Sequence, residues 1–327
     1  MITNNISIDQ IYEKSIIKPL IEFNKFRGLF IYKCINIIKD LFQVYKYLTG
    51  NYPVCQNFLI CNNETSINEI ISFLYRAILC NYHSCYIIGG IHNLNAENKN
   101  YLLKLLNNLI IETNGIINSC LIILNMEKEL EISKKLESIK YKMFDENVRN
   151  ELEKQIIDNI SYIKLLNSDK SGIGKSTKIR NDVLKRNKKY IYFPINGFLN
   201  QINIIQRLQN LELTENSVIH LDIFDIDNID LIEEFLFYII ITKSFIKNTT
   251  ILYFPNDIEI YIEFQNLNDI KKFSIFSLIK FKEQNKLLIK NIEPLIFSKE
   301  KNSDLIIVGK YLKLIKKLNK EKKIQIL

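Results

Sequence analysis

No C-x-x-C pair occurs among the six cysteines, no apolar run approaches the thickness of a bilayer, and glycine is scarce, nine in 327 residues. Each shortage excludes something. Without paired cysteines at zinc-ligand spacing the chain carries no ready-made structural zinc site. Cys80, His83 and Cys85 in CNYHSC come nearest to one, but a second ligand pair is missing, and buried thiols in a reducing compartment are the expected state. The longest apolar run, FLFYIIIT (Phe235 to Thr242), is far shorter than the roughly 20 residues needed to span a membrane, so it is expected as a core helix. The opening MITNNISIDQIYEKS is polar and mixed, lacking the basic flank, apolar stretch and small-residue cleavage site of a signal peptide. Secretion is therefore not expected and a cytoplasmic location is.

What is present is core-forming material. A chain of 327 residues that is 47% hydrophobic and 11% aromatic can bury a substantial interior and has room for two modest domains. Its net charge of +8 is uneven: from Lys271 to Leu327 there are 15 lysines against five acidic residues, leaving the remainder at −2. Such a tail can touch nucleic acid, acidic lipid or an acidic partner. Since no stacking aromatics or nucleic-acid motif accompany it, a solvated helical face is the simpler reading.

Residues 1–47 carry apolar positions at helical spacing, as in LFIYKCINIIKDLFQVYKYL, and are expected as a helical N-terminal segment. Short apolar runs then alternate with amphipathic stretches. NFLIC precedes a helix whose Ser66 and Glu69 form an S-x-x-E capping box, SCYIIGGI precedes NLNAENKNYLLKLLNNLIIET, and SCLIILN follows. This predicts a first αβ module over 48–150, ending in a charged helical linker or lid from about residue 126. The alternation restarts with YIKLL, KYIYFPI, SVIHLDIFD and IEIYIEF, which predicts a second module over 151–267 followed by the basic segment 268–327, a lid or the start of a further unit. The fold class expected is α/β, two consecutive modules with parallel, helix-covered sheets. The two are not close sequence repeats.

Between YIKLL and its helix lies SDKSGIGKST, Ser168 to Thr177. The phosphate-loop pattern G-x-x-x-x-G-K-[ST] uses glycines to curl backbone amides around phosphate, a lysine to reach the terminal phosphates and a hydroxyl to ligate Mg2+. Gly172, Ile173, Gly174, Lys175 and Ser176 supply its last five places, Thr177 follows as a further candidate nucleotide-binding residue, and Asp169 stands in place of the first glycine. Asp tolerates turn conformations, but its charge disfavours phosphate. SVIHLDIFD offers the acid that such a site needs at a neighbouring strand end, Asp222, 47 residues after Lys175. Ser176 and Asp222 are the expected Mg2+-side residues. In hydrolysing enzymes of this kind a glutamate follows that acid and polarises water. Here Ile223 follows, and Asp225 or Asp227 would serve only if the loop folded back. Asn266, at the end of IEIYIEFQN, is the expected polar residue facing the γ-phosphate. In the first module CNNETS lies where the phosphate loop is expected but has neither glycine nor lysine, and His92 and Asn93 stand where acids are expected.

The succession LTGNYPVCQNFLICNNETSINEIISFLYRAIL, IHNLNAENKNYLLKLL, SDKSGIGKST, VIHLDIFDIDNIDLIEEFLF, PNDIEIYIEF and SDLIIVGKYLKLIKK resembles the first part of the dynein-like AAA+ core of the mysterin family, giant RING-finger E3 ubiquitin ligases. The resemblance runs over residues 48–318, and HLD before a helix containing EFLF, with the late DLIIVGKYLKL, is its most telling part. It implies two AAA+-like P-loop modules, the first degenerate and the second holding ATP and Mg2+. Gly172, Gly174, Lys175 and Ser176 match the phosphate loop, and Asp222 the Mg2+-side acid. The implied partners are further AAA units or the rest of a ligase, and through them the ubiquitin machinery. Asp169 and Ile223 depart from a hydrolysing site, and the chain contains no RING cysteine/histidine array. The expected function is an ATP-binding, hydrolysis-poor module pair with a structural or allosteric role. A self-standing P-loop ATPase and a nucleic-acid-binding protein acting through the basic tail are the alternatives.

Overall fold

The computed structural model describes residues 26–80, 83–126, 142–143, 149–152, 155–158, 160–167, 174–195, 201–214, 216–224, 228–247, 250–255, 258–264, 267–280 and 286–288. Its first sheet is built from β1 (Gly28–Cys34), β2 (Phe58–Ile60), β3 (Cys85–Gly89), β4 (Cys120–Met126) and β5 (Lys142–Met143), in the spatial order β2-β3-β4-β1-β5. Every pairing is parallel. Parallel neighbours need crossovers, and these are α1 (Ile37–Thr49), α2 (Ile67–Leu79) and α3 (Ala96–Glu112).

The helices begin where the sequence supplies caps. Ser66 and Glu69 form the expected box, the Ser66 amide donating to Glu69 Oε2 at 2.7 Å and the Glu69 amide to Ser66 Oγ at 3.3 Å. Replacing such a cap typically costs about 1 kcal/mol. From there α2 buries Ile70, Phe73, Leu74, Ala77 and Ile78 against one face of the sheet. Each large side chain contributes roughly 1.5–3 kcal/mol of transfer free energy.

One expectation fails at the start of the chain. Residues 28–34 are not helical: GLFIYKC is β1, an interior strand between β4 and β5. A strand covered on both faces reads as a continuous apolar run, and over a short window periodicity does not separate it from a buried helix. The first module therefore includes residues from 28 onward, and a boundary at 48 would fall at the end of its first helix. Of the expected linker after residue 126, only the edge strand β5, the short helix α4 (Arg149–Leu152) and a two-residue strand β6 (Ile157–Asp158) lie among the described residues.

The second sheet combines β7 (Ile163–Asn167), β8 (Lys189–Ile195), β9 (Ser217–Ile223), β12 (Glu259–Phe264) and β14 (Lys286–Leu288), ordered β14-β7-β12-β9-β8. Again every pairing is parallel. Between these strands lie α5 (Lys175–Lys185), α6 (Gln201–Gln209), α7 (Ile229–Phe237) with a π turn at Tyr238–Thr242, the hairpin β10 (Ser244–Lys247) and β11 (Thr250–Tyr253), and α8 (Leu267–Ile270). A two-residue strand, β13 (Ile279–Lys280), pairs with β6. Counted within each module, both sheets run second, third, fourth, first, fifth, so they share one topology despite dissimilar sequences. Because β14 completes the second sheet, that module extends beyond residue 267 into the basic segment. Of that segment, residues 268–280 and 286–288 are described.

A single apolar core joins the modules. Ile87, Ile122 and Leu124 of the first sheet, Leu41 and Phe42 of α1, Phe235 and Leu236 of α7, and Ile219, Leu221, Ile260 and Ile262 of the second sheet belong to it. The run Ile232 to Phe237 is buried on all sides, as the FLFYIIIT stretch suggests. Among the described residues no helix is long and apolar enough to cross a membrane, and all six cysteines are free thiols.

Candidate nucleotide site

In an open parallel sheet, ligands bind beyond the carboxyl ends of the strands where the order reverses. In the second module the chain leaves β7 toward β8 on one side, and after β12 it crosses to β14 on the other. The crevice at the ends of β7 and β12 is that point. Of the expected site residues, Asp169, Gly172, Ile173, Asp225, Asp227 and Asn266 lie outside the described residues. Gly174, Lys175, Ser176, Thr177 and Asp222 are described.

Gly174 has φ of 88° and leads straight into α5. That left-handed conformation favours glycine. As a glycine it also provides no side-chain cap, whereas Asn36, Ser66, Asn95 and Asn228 cap α1, α2, α3 and α7. The start of α5 thus presents amides and the positive end of the helix dipole toward the crevice.

Lys175 is only 4% exposed. Its Nζ donates to the carbonyl of Phe264 at 2.8 Å and lies 3.8 Å from Glu263 Oε1. Ser176 Oγ donates to the other oxygen of the same carboxylate, Glu263 Oε2, at 2.8 Å. Thr177 is exposed. Glu263 is therefore the group to which both the lysine and the serine turn, and it was not among the residues expected from sequence.

Asp222 of β9 stands in register with Glu263 of β12, so the two carboxylates project from the same face of adjacent strands. Tyr192 donates its hydroxyl to Asp222 Oδ2 at 2.7 Å. Burial raises the Asp222 pKa; the Tyr192 hydrogen bond opposes this, and the Glu263 charge adds to it. Ile223, next along the strand, is wholly buried in the shared core beside Phe264 and Ile195. No carboxylate stands there to polarise water.

Glu263 is held from behind. His220 is fully buried, with Nε2 3.0 Å from Glu263 Oε2 and Nδ1 2.7 Å from the Tyr190 hydroxyl. Burial, then the Glu263 charge, push the Tyr190 pKa up to about 12, so this phenol keeps its proton. With neutral imidazole the chain is satisfied when Tyr190 donates to Nδ1 and Nε2–H donates to the carboxylate. The sequence did hold a signal for these residues: His220 and Glu263 interrupt otherwise apolar buried strands at the same alternation as Asp222.

Farther down the same face, Glu259 accepts from Arg186 Nη1 at 2.7 Å, pairs with Lys188, and lies 3.6 Å from Lys164. Burial alone would raise its pKa, but the Arg186 and Lys188 hydrogen bonds outweigh it and hold the carboxyl below its usual range. This cluster ties the end of α5 and the following turn to β12.

The first module is built differently at the corresponding point. Only Ile35 and Asn36 separate β1 from α1, and the Asp40 carboxylate accepts from their amides at 2.7 and 3.1 Å. Asn36 Oδ1 accepts from the Lys39 amide at 2.8 Å. The chain's own carboxylate sits where an anion would. CNNETS, expected there, follows β2 instead. Its turn is closed by Asn62 and Thr65, and Asn62 Nδ2 donates to Glu234 Oε2 of the second module at 3.1 Å. His92 and Asn93 end β3 in a short 3-10 turn. Among the described residues no group of histidines, cysteines and acids is arranged to hold a metal by itself, and Cys80, His83 and Cys85 form no such group.

A buried lysine, a hydroxyl and two carboxylates at a helix start whose N-cap is glycine suit a phosphate chain accompanied by Mg2+, which keeps much of its water and takes few protein ligands. No protein-family model and no curated protein matches the chain, so this reading rests on the geometry.

Proposed function

We propose that the second module binds ATP with Mg2+ in the crevice at the ends of β7 and β12 and turns it over poorly. The two modules would then form an AAA+-like pair serving a structural or allosteric role in a larger mysterin-like ligase of the cytoplasm. The observation that carries the nucleotide reading is the convergence of Lys175 and Ser176 on Glu263 at the start of α5. Lys175 and the α5 amides would hold phosphate oxygens, and Ser176 and Asp222 would stand on the Mg2+ side. Bound Mg2+ supplies positive charge against the phosphates.

Slow turnover would follow from Ile223, whose side chain is committed to the core. The paired-module reading is supported by the shared strand order and by Asp40 occupying the first module's anion position. A ligand held without turnover acts as a folding ligand, adding about 2.7 kcal/mol at a hundredfold excess over Kd. The test is calorimetric titration with MgATP, thermal unfolding with and without it, and steady-state phosphate release, on wild type and Lys175→Ala. Binding and thermal protection that vanish in the variant, with negligible phosphate release, are expected. Phosphate release that vanishes in Lys175→Ala would instead make the chain a working ATPase, and no binding at all would remove the nucleotide reading.

A further inference from the structure

We propose that Glu263, rather than Asp222, is the principal carboxylate of the Mg2+ side, and that it makes nucleotide binding depend on the cation. This rests on the nucleotide reading above and names a residue that the phosphate-loop pattern does not contain. Ser176 is the hydroxyl on the metal side, and its hydrogen-bond partner is Glu263 Oε2 at 2.8 Å. Asp222 Oδ2 accepts instead from the Tyr192 hydroxyl at 2.7 Å, so of the two carboxylates it is Glu263 that is joined to the serine. Divalent magnesium binds through one or two carboxylates, directly or through water, together with phosphate oxygens. A carboxylate in contact with the serine hydroxyl is placed for that.

Glu263 is only 6% exposed, and a buried carboxylate needs a counter-charge. Without nucleotide that charge is Lys175, 3.8 Å away and itself buried. When a triphosphate draws the lysine to its own oxygens, Glu263 stays where His220 holds it and loses part of its compensation. A hydrated cation at Ser176 restores the balance. In the absence of a cation, the phosphate chain and Glu263 are two anions competing for one lysine. Magnesium therefore strengthens ATP binding by relieving Glu263 as well as by neutralising the phosphates. His220 and Tyr190 act as positioning residues, fixing the carboxylate as outer-shell partners do at metal sites.

Kd for ATP measured in Mg2+ and in EDTA, on wild type, Glu263→Gln and Asp222→Asn, tests this. In Glu263→Gln the ratio of the two constants is expected to fall at least tenfold, through weaker binding with Mg2+ and unchanged or tighter binding without it. Asp222→Asn should lower the ratio less. A ratio within threefold of wild type in Glu263→Gln, or a larger fall in Asp222→Asn, overturns the assignment while leaving ATP binding intact. No ATP binding by wild type under either condition removes the nucleotide reading itself. Circular dichroism confirms folding of each variant. If Glu263→Gln does not fold, Glu263→Asp, which keeps the charge and withdraws it by one methylene, takes its place: a reduced ratio supports the assignment and an unchanged one overturns it.

Discussion

Replacing Asp40 by alanine should destabilise the whole chain although Asp40 lies far in sequence from the phosphate loop. The carboxylate is 8% exposed and accepts from the amides of Ile35 and Asn36 at 2.7 and 3.1 Å, at the positive end of α1. Hydrogen bonds to a charged group contribute about 1.5–3 kcal/mol each, and leaving a buried donor unsatisfied costs a similar amount. The helix-dipole interaction adds roughly 0.5 kcal/mol. Partial access of water to the vacated site reduces the total, and about 3 kcal/mol is expected for Asp40→Ala. Asparagine keeps one acceptor oxygen without the charge, so Asp40→Asn should cost about 1–2 kcal/mol. Urea unfolding followed by circular dichroism measures both, and at about 2 °C per kcal/mol for a chain this long, Asp40→Ala should lower Tm by roughly 6 °C. Because α1 packs in the core common to both modules, the loss should appear as a shift of one transition. An Asp40→Ala protein within 0.5 kcal/mol of wild type would refute the view that this carboxylate stabilises the turn into α1.

Lys175→Met should destabilise the nucleotide-free protein by about 3 kcal/mol, because it leaves the Glu263 carboxylate buried without its cation. Adding Glu263→Gln should recover most of that, giving a coupling of about 2 kcal/mol in a double-mutant cycle; additive losses would contradict the pairing. Glu259 has a folded pKa below its ordinary value, so the stability it contributes is fully present above about pH 4.3 and is lost as pH falls through the lowered folded value. Glu259→Gln should therefore flatten the acid limb of stability against pH, and an unchanged limb would remove that contribution. Phe235, 1% exposed and stacked on Phe193 at 6.0 Å between ring centroids, should cost about 3–5 kcal/mol on truncation to alanine. Hydrogen exchange should then rise in both sheets; a rise confined to the second would argue against a shared core.

Strands β2, β3, β4, β7, β8, β9 and β12 were legible as short apolar runs between polar helices, and so was the Ser66–Glu69 capping box, because these signals are local. β1 was not legible, since GLFIYKC sits beside an amphipathic helix and its apolar residues satisfy either period. The lysine and serine after Gly174 were readable from spacing alone. Glu263 stood out only as a charge in an apolar strand; its partners were not readable, because β12 inserts between β7 and β9 and nothing local in EIYIEF says which strands will flank it.

The amino-acid sequence by itself determined the α/β alternation, the glycine turn into α5 and the absence of a carboxylate at position 223, since each follows from side-chain period or backbone freedom within a few residues. Tertiary structure alone decided that both modules share one strand order and one core, that the Asp40 carboxylate accepts from the amides of Ile35 and Asn36, and that Glu263 faces Lys175 and Ser176. Those facts depend on which strands become neighbours, a choice made by burying apolar faces between segments that are distant along the chain.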